Sequence, residues 1–267
     1  MNILQEIAAR TKKRIEVQKE AVPFEKVIET AQLARKKEIL DSPVFPFETA
    51  LRRKDIAFIC EVKKASPSKG IIADVFPYLD IAKEYEAAGA AAISVLTEPH
   101  YFKGSDLYLR EIADAVSIPL LRKDFAIDSY MIYEAKILGA SAILLICALL
   151  DKATLAEYIG IAHSLGLSAL VEAHTETEVE TALAAEARIV GVNNRNLKTF
   201  EVDISLSERL RKMVPKDRIF VSESGIRCAE DIKMLRQNGV DAALIGETLM
   251  LASDKKTALD ELRGAEL

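Results

Sequence analysis

The chain has 267 residues, half of them hydrophobic, and a formal net charge of −5. Such a chain can bury a large core, and one α/β barrel commonly uses this length. The acidic balance argues against a broad nucleic-acid footprint but leaves room for a local basic pocket. Three cysteines, Cys60, Cys147 and Cys228, lie far apart without metal-ligand spacing. Neither a disulfide framework nor a metal site is predicted, and a reducing cytoplasm fits.

The first residues, "MNILQEIAARTKKRIEVQKE", lack the continuous apolar stretch of a signal peptide. Glu6, Glu16 and Glu20 set them apart from acid-poor transit peptides. No run approaches the roughly 20 apolar residues of a membrane helix, so a soluble protein without a membrane partner is expected. This segment and "FEKVIETAQLARKKEIL" read as helices. Together they make residues 1–48 a helical extension, suited to cap one end of the domain.

Eight short apolar or β-branched runs come next, at 57–63, 91–96, 119–123, 142–147, 168–172, 189–193, 219–223 and 242–245. Amphipathic segments separate them, and four of these stop at Gly89, Gly139, Gly166 and Gly239, as helices do. Asp128 and Ser105 suit N-caps, and Thr175 with Glu178 has capping-box spacing. Eight βα units predict a closed parallel (β/α)8 TIM barrel, one domain over 1–267. No Gly-rich dinucleotide turn comes after the first strand, which disfavours an open Rossmann sheet.

In "FICEVKK", alternate residues face opposite sides of a strand. Phe58, Cys60 and Val62 suit the helix-facing side, so Glu61 and Lys63 point inward near the C-terminal mouth. Buried charges need partners, and later strand ends supply them: Lys123 on the third, Glu172 on the fifth, Asn193 on the sixth with Arg195 beyond, and Glu223 on the seventh. Any one of these charges is as readily a structural salt bridge; the set at corresponding ends points to a barrel active site.

Ser224 and Gly225 come after the seventh strand and Gly246 after the eighth. A short helix from Glu247 would aim N–H groups at an anion there, with Lys63 and Ser66 completing the cage. In "TEPHYFKGS", Phe102 suits either a flat ligand or a loop anchor. His163 reads as surface or satisfied core, and His174 as a helix-start residue without chemistry.

The ordered series "EVKKASPSKG", "SVLTEPHYFKGS", "LLRKDF", "VEAH", "GVNNRNL", "ESGI" and "IGETLM" resembles the indole-3-glycerol phosphate synthase family over nearly the whole chain. The resemblance implies ring closure of 1-(2-carboxyphenylamino)-1-deoxyribulose 5-phosphate, with loss of CO2 and water and no cofactor or metal. It makes Lys123 the general acid on the ribulose carbonyl and Glu172 the base in dehydration, with Glu61 in support. Lys63 would hold the substrate carboxylate or phosphate and serve as a second acid. Asn193 and Arg195 would position the ring carboxyl or a hydroxyl, and Phe102 and Phe125 would enclose the anthranilate ring. Ser66, Ser224, Gly225, Gly246 and Glu247 match the phosphate pocket, Glu247 through its backbone N–H with its carboxylate turned away. Glu223 would orient its neighbours from behind. Ala65 and Glu247 depart from relatives that carry a basic residue and Ser there. The alternatives are a barrel like phosphoribosylanthranilate isomerase, or a phosphate-ligand binder without turnover. A small-molecule partner and a monomer suffice for this chemistry.

Overall fold

The computed structural model describes residues 3–38, 45–197 and 199–264. Both termini, position 198 and positions 39–44 lie outside the described residues; these include the end of the second expected helix and part of the expected 1–48 extension. All eight expected strands form, with limits within one residue of the predicted ones: β1 (Ala57–Val62), β2 (Ala92–Leu96), β3 (Leu120–Lys123), β4 (Ala142–Ile146), β5 (Ser168–Ala173), β6 (Ile189–Asn193), β7 (Ile219–Glu223) and β8 (Ala242–Ile245). Each pairs in parallel with its neighbours in the chain. β1 pairs with both β2 and β8, which closes the barrel.

Near-continuous apolar strands are what a parallel sheet buried on both faces requires. Phe58, Cys60 and Val62 face the outer helices, whereas Ala57 and Ile59 join the inner cluster with Leu121, Leu144, Leu170, Ile189, Val221 and Leu244. The alternation expected for β1 therefore holds. Cys60 is buried on the helix side, where loss of hydration pushes its thiol up to about 12.

The outer layer comprises α4 (Tyr78–Ala87), α5 (Asp106–Ala115), α6 (Tyr130–Ile137), α7 (Lys152–Ser164), α8 (Glu176–Ala184), α9 (Ser205–Arg211), α10 (Ala229–Gln237), α11 (Glu247–Leu251) and α12 (Lys255–Arg263). Gly89, Gly139, Gly166 and Gly239 all take positive φ just past helix ends, a conformation L side chains resist. The Ser105 hydroxyl accepts from Leu107 N at 3.2 Å, and Asp128 Oδ1 accepts from Tyr130 N at 2.9 Å. Thr175 caps Glu178 N at 3.2 Å, while the Glu178 carboxylate accepts from His174 N, one residue before the cap.

Three helices precede the barrel: α1 (Ile3–Ala21), α2 (Phe24–Glu38) and α3 (Pro46–Leu51). They do more than cap one end. α2 lies along the outside of α6. Phe47 and Leu51 of α3 seal the inner cluster from the side where strands begin. There Glu48 meets Arg188 at 2.8 Å. Leu4 and Ile7 of α1 reach the same cluster from the opposite end, at the mouth. A barrel interior filled by apolar layers leaves an exposed layer at each end, and different helices cover the two.

Phe47 is fully buried. Phe47→Ala is expected to cost about 3–5 kcal/mol of stability, read as a lowered urea midpoint with unchanged slope; a midpoint equal to the parent's would contradict the sealing role.

Candidate active site

At the strand C-termini the barrel opens into a cavity of about 410 Å³. All fourteen residues singled out from the sequence line it: Glu61, Lys63, Ser66, Phe102, Lys123, Phe125, Glu172, Asn193, Arg195, Glu223, Ser224, Gly225, Gly246 and Glu247. Strand register brings them together, because β1, β3, β5, β6 and β7 each end on an inward-facing polar side chain or place one just short of the end.

Lys123 sits at the centre. Its Nζ lies 3.1 Å from Glu223 Oε2, 3.8 Å from Glu172 Oε2 and 3.9 Å from Glu61 Oε1. Lys63 Nζ contacts the other Glu61 oxygen at 2.5 Å. Asn193 Nδ2 donates to Glu172 Oε2 at 3.2 Å, and Asn193 Oδ1 accepts from Arg195 N at 3.0 Å. Burying an ammonium costs several kcal/mol, whereas each opposite charge near 4 Å returns about 4 kcal/mol at an effective dielectric of 20. Burial alone would lower the Lys123 pKa; Glu223, Glu61 and Glu172 outweigh it and hold the amine well above the ordinary lysine range. Burial likewise works against charge on Glu61, but Lys63 and Lys123 prevail and keep that carboxyl below its usual range. Glu223 goes the other way. Burial, with the like charges of Glu172 and Glu61, outweighs Lys123 and pushes it up to about 7. One of the three acids thus titrates near neutrality while Glu61 stays ionised.

Beside this cluster, Ser224 and Gly225 take φ of 68° and 84° in succession. A non-glycine residue in the left-handed region marks local strain of the kind concentrated at functional sites. The short α11 starts at Glu247, as expected. Gly246 is there for closeness: a Cβ on it would lie 2.3 Å from Glu61 Oε2 and 2.6 Å from Lys63 Nζ. The carboxylate of Glu247 corrects the sequence reading. It faces the mouth, with Lys69 at 3.1 Å and Arg195 at 3.9 Å, because two cations draw it inward. The Phe102 and Phe125 rings meet at a tilt of 39° with centroids 5.9 Å apart.

Several residues of the site escaped the sequence reading. Gly191, in the middle of β6, has space only for hydrogen, since a Cβ would meet Glu223 Oε1 at 2.4 Å. A glycine inside a strand run was the available signal. Asp124, next to Lys123, is buried and accepts from Arg14 of α1 and from Thr97, both at 2.7 Å. Arg122 points to the opposite side and pairs with Asp106 and Glu134 at 2.7 and 2.6 Å, tying α5 and α6 to β3. Leu4, Ile7 and Leu197 line the cavity as well. His174, expected to be inert, packs against Glu172. His163 lies edge-on to Phe45, and burial lowers it to about 4. Among the described residues no group of three His, Cys, Asp or Glu side chains is arranged to hold a metal, and no helix is long and apolar enough to cross a membrane.

A closed parallel barrel with acids, amines and an amide meeting at its strand C-termini defines a TIM-barrel enzyme. Solved structures agree on the fold: a 3-hexulose-6-phosphate synthase superposes with a TM-score of 0.62 at 15% identity, covering 79% of this chain and 100% of that one. A mutant tryptophan synthase α-subunit from Pyrococcus furiosus gives 0.60 at 16%, covering 79% and 99%. The particular family comes from sequence. The model of indole-3-glycerol phosphate synthase matches residues 4–262. Relatives of that name from Ruminiclostridium cellulolyticum and Endomicrobium trichonymphae are 59% and 54% identical, each over 98% of this chain and 99% of theirs. The chain belongs to the indole-3-glycerol phosphate synthase family.

Gly191→Ala is expected to displace Glu223 and lower turnover roughly 10-fold or more, as misplacement near a reacting group does; unchanged steady-state rates would show that Glu223 has space to spare. The Glu223 carboxyl, raised to about 7 from 4.5, binds its proton more tightly in the folded state. Its stabilising effect is complete below pH 4.5 and is lost as pH rises through 7. Glu223→Gln mimics the protonated form, so its melting temperature should gain on the parent's between pH 5 and 8. A constant difference would contradict the raised pKa.

Proposed function

We propose that Lys123, Glu172, Glu61, Lys63 and Asn193 carry the ring closure of 1-(2-carboxyphenylamino)-1-deoxyribulose 5-phosphate to indole-3-glycerol phosphate, CO2 and water. The observation that carries this assignment is the Lys123 ammonium among three carboxylates. Carbonyl attack by an aromatic carbon puts negative charge on the carbonyl oxygen, and a fixed, protonated amine is the group that meets such charge. Loss of the ring carboxylate as CO2 restores aromaticity. Dehydration then removes the new hydroxyl with one hydrogen from the N–CH2 segment. Glu172, steadied by Asn193, takes that proton, and Lys63 assists the departing hydroxide. Glu61 stays ionised between both amines and fixes their positions.

Phe102 and Phe125 face the anthranilate ring, and Arg195 lies near its carboxylate. Ser66 and Ser224 hydroxyls and the N–H groups of Gly225, Gly246 and Glu247 receive the phosphate. The Glu247 carboxylate repels a phosphate dianion and competes with it for Lys69, so substrate entry turns this side chain aside. Chemistry of this kind calls for neither metal nor organic cofactor. The enzyme is taken as a monomeric cytoplasmic protein without nucleic-acid partner, one barrel domain over 1–267 with 1–48 as its helical extension; the acidic net charge supports the absence of nucleic acid.

Lys123→Ala and Glu172→Gln should each lower kcat by about 10²–10⁴-fold, while binding of a phosphate-bearing product analogue persists by calorimetry. Indole formation, followed by its absorbance, is the assay. Near-parental kcat in either variant would remove that residue from its role.

A further inference from the structure

The reaction carries a proton demand. The substrate carboxylate leaves as neutral CO2, and the carbonyl oxygen leaves as water. One of the two hydrogens in that water comes from the N–CH2 segment; the other must come from solvent. Two protons are donated in each turnover, on the carbonyl oxygen and on the leaving hydroxide, and Glu172 recovers one. The acid pair is therefore one proton short every cycle, at a time when substrate fills the mouth.

A second cavity, of about 620 Å³, adjoins the first at Asn193. His174, Thr175, Glu178, Asn193, Asn194 and Arg209 line it. Asn193 borders both cavities and forms part of the wall between them. The His174 ring stands beside that wall. Its Nε2 is buried, has no hydrogen-bond partner among the described residues, and lies 3.6 Å from Glu172 Oε1. Its Nδ1 lies 3.5 Å from Glu178 Oε2, and Glu178 is about one-quarter exposed. Glu172 Oε2 then lies 3.8 Å from Lys123 Nζ. The series runs from the side cavity to the imidazole, to the base, to the acid. Catalytic hydrogen bonds of this length tighten in the complex with substrate.

We propose that His174 is a proton-transfer residue that delivers one solvent proton per turnover from the side cavity to Glu172, and through it to Lys123. The imidazolium Nε2–H bond breaks as an O–H bond forms on Glu172. That O–H breaks in turn as the neutral Lys123 amine regains its third hydrogen; the proton Glu172 took from the N–CH2 segment has by then passed through Lys123 and Glu61 to the neutral Lys63 amine. The ring, neutral and still protonated at Nδ1, then turns its Nε2 to the side cavity, where a solvent proton restores the N–H bond before the ring turns back. The charged groups facing the ring are Glu172 on β5, which ends one residue before His174, Glu178 on α8 and Glu223 on β7; Glu201, Asp203 and Arg209 line the rest of the cavity. Burial works against the imidazolium, but the hydrogen bond to Glu178 and the three carboxylates outweigh it and raise the ring above its ordinary 6.5. A donor of this kind is loaded at neutral pH and unloaded as pH rises through the raised value.

This relay rests on the assignment of Glu172 as base. In the intact protein, His174→Asn should lower kcat roughly tenfold with KM unchanged, enlarge the D2O effect on kcat, and recover part of the rate when free imidazole is added. Parental kcat should fall with rising pH, its midpoint above 6.5, and His174→Asn should lack that limb. Glu178→Gln, which leaves the ring in place, should move the midpoint to lower pH and supplies the test even where His174→Asn folds poorly. The relay is overturned if kcat and the D2O effect are parental in His174→Asn, if the alkaline limb survives there, or if Glu178→Gln leaves the midpoint unmoved. Should Glu172→Gln turn over normally, the assignment of the base has failed instead; should it be dead while His174→Asn is parental in every measure, the relay alone has failed.

Discussion

The protonated amine of Lys123 is the constraint on which the site depends. A barrel mouth lined by apolar side chains is a poor place for an ion. Three carboxylates make it tolerable, and Lys63 offsets part of their charge in turn. With Glu61, Glu172 and Glu223 against Lys63 and Lys123, the cluster carries one negative charge in excess. Glu223, raised to about 7, is the carboxyl that absorbs this excess by holding a proton. The same balance that makes the cluster stable keeps Lys123 charged and aimed at the cavity, which is what a general acid in carbonyl chemistry needs.

That cluster is held from both sides of the sheet. Inward-facing charges meet in the mouth, while Arg122, one residue before Lys123, anchors the same strand to α5 and α6 outside. Asp124, one residue after, ties it to α1 through Arg14. Three consecutive residues of β3 and its loop thus fix the acid in three directions. The N-terminal extension joins the site by this contact and by the apolar ends Leu4 and Ile7 that reach the mouth. α1 therefore forms part of the cavity wall as well as a brace for β3.

Most of this was legible in the sequence because period-2 alternation and strand ends are local. Phe58, Cys60 and Val62 on one face require Glu61 on the other, and similar reasoning reaches Lys123, Glu172, Asn193 and Glu223. Features that depend on contacts across the chain were not legible. Gly191 is a glycine because of Glu223, 32 positions later, and Gly246 because of Glu61 and Lys63 on the opposite end of the chain. Glu247 is expected to act through its N–H with its carboxylate turned away; Lys69 and Arg195, from two other loops, draw that carboxylate back to the mouth. His174 looked inert because it reads as the start of the next helix, past the strand end, where alternation no longer places it beside Glu172.

The protonation state of Lys123 can be observed directly. Lysine side chains labelled with ¹³C at the ε carbon titrate in NMR spectra, and Lys123→Arg assigns the resonance. Three surrounding carboxylates predict that the Lys123 signal keeps its ammonium shift to a pH above 10.5, the ordinary value. A midpoint below 10.5 would mean that burial dominates, and the amine would not be the charge-held acid described here.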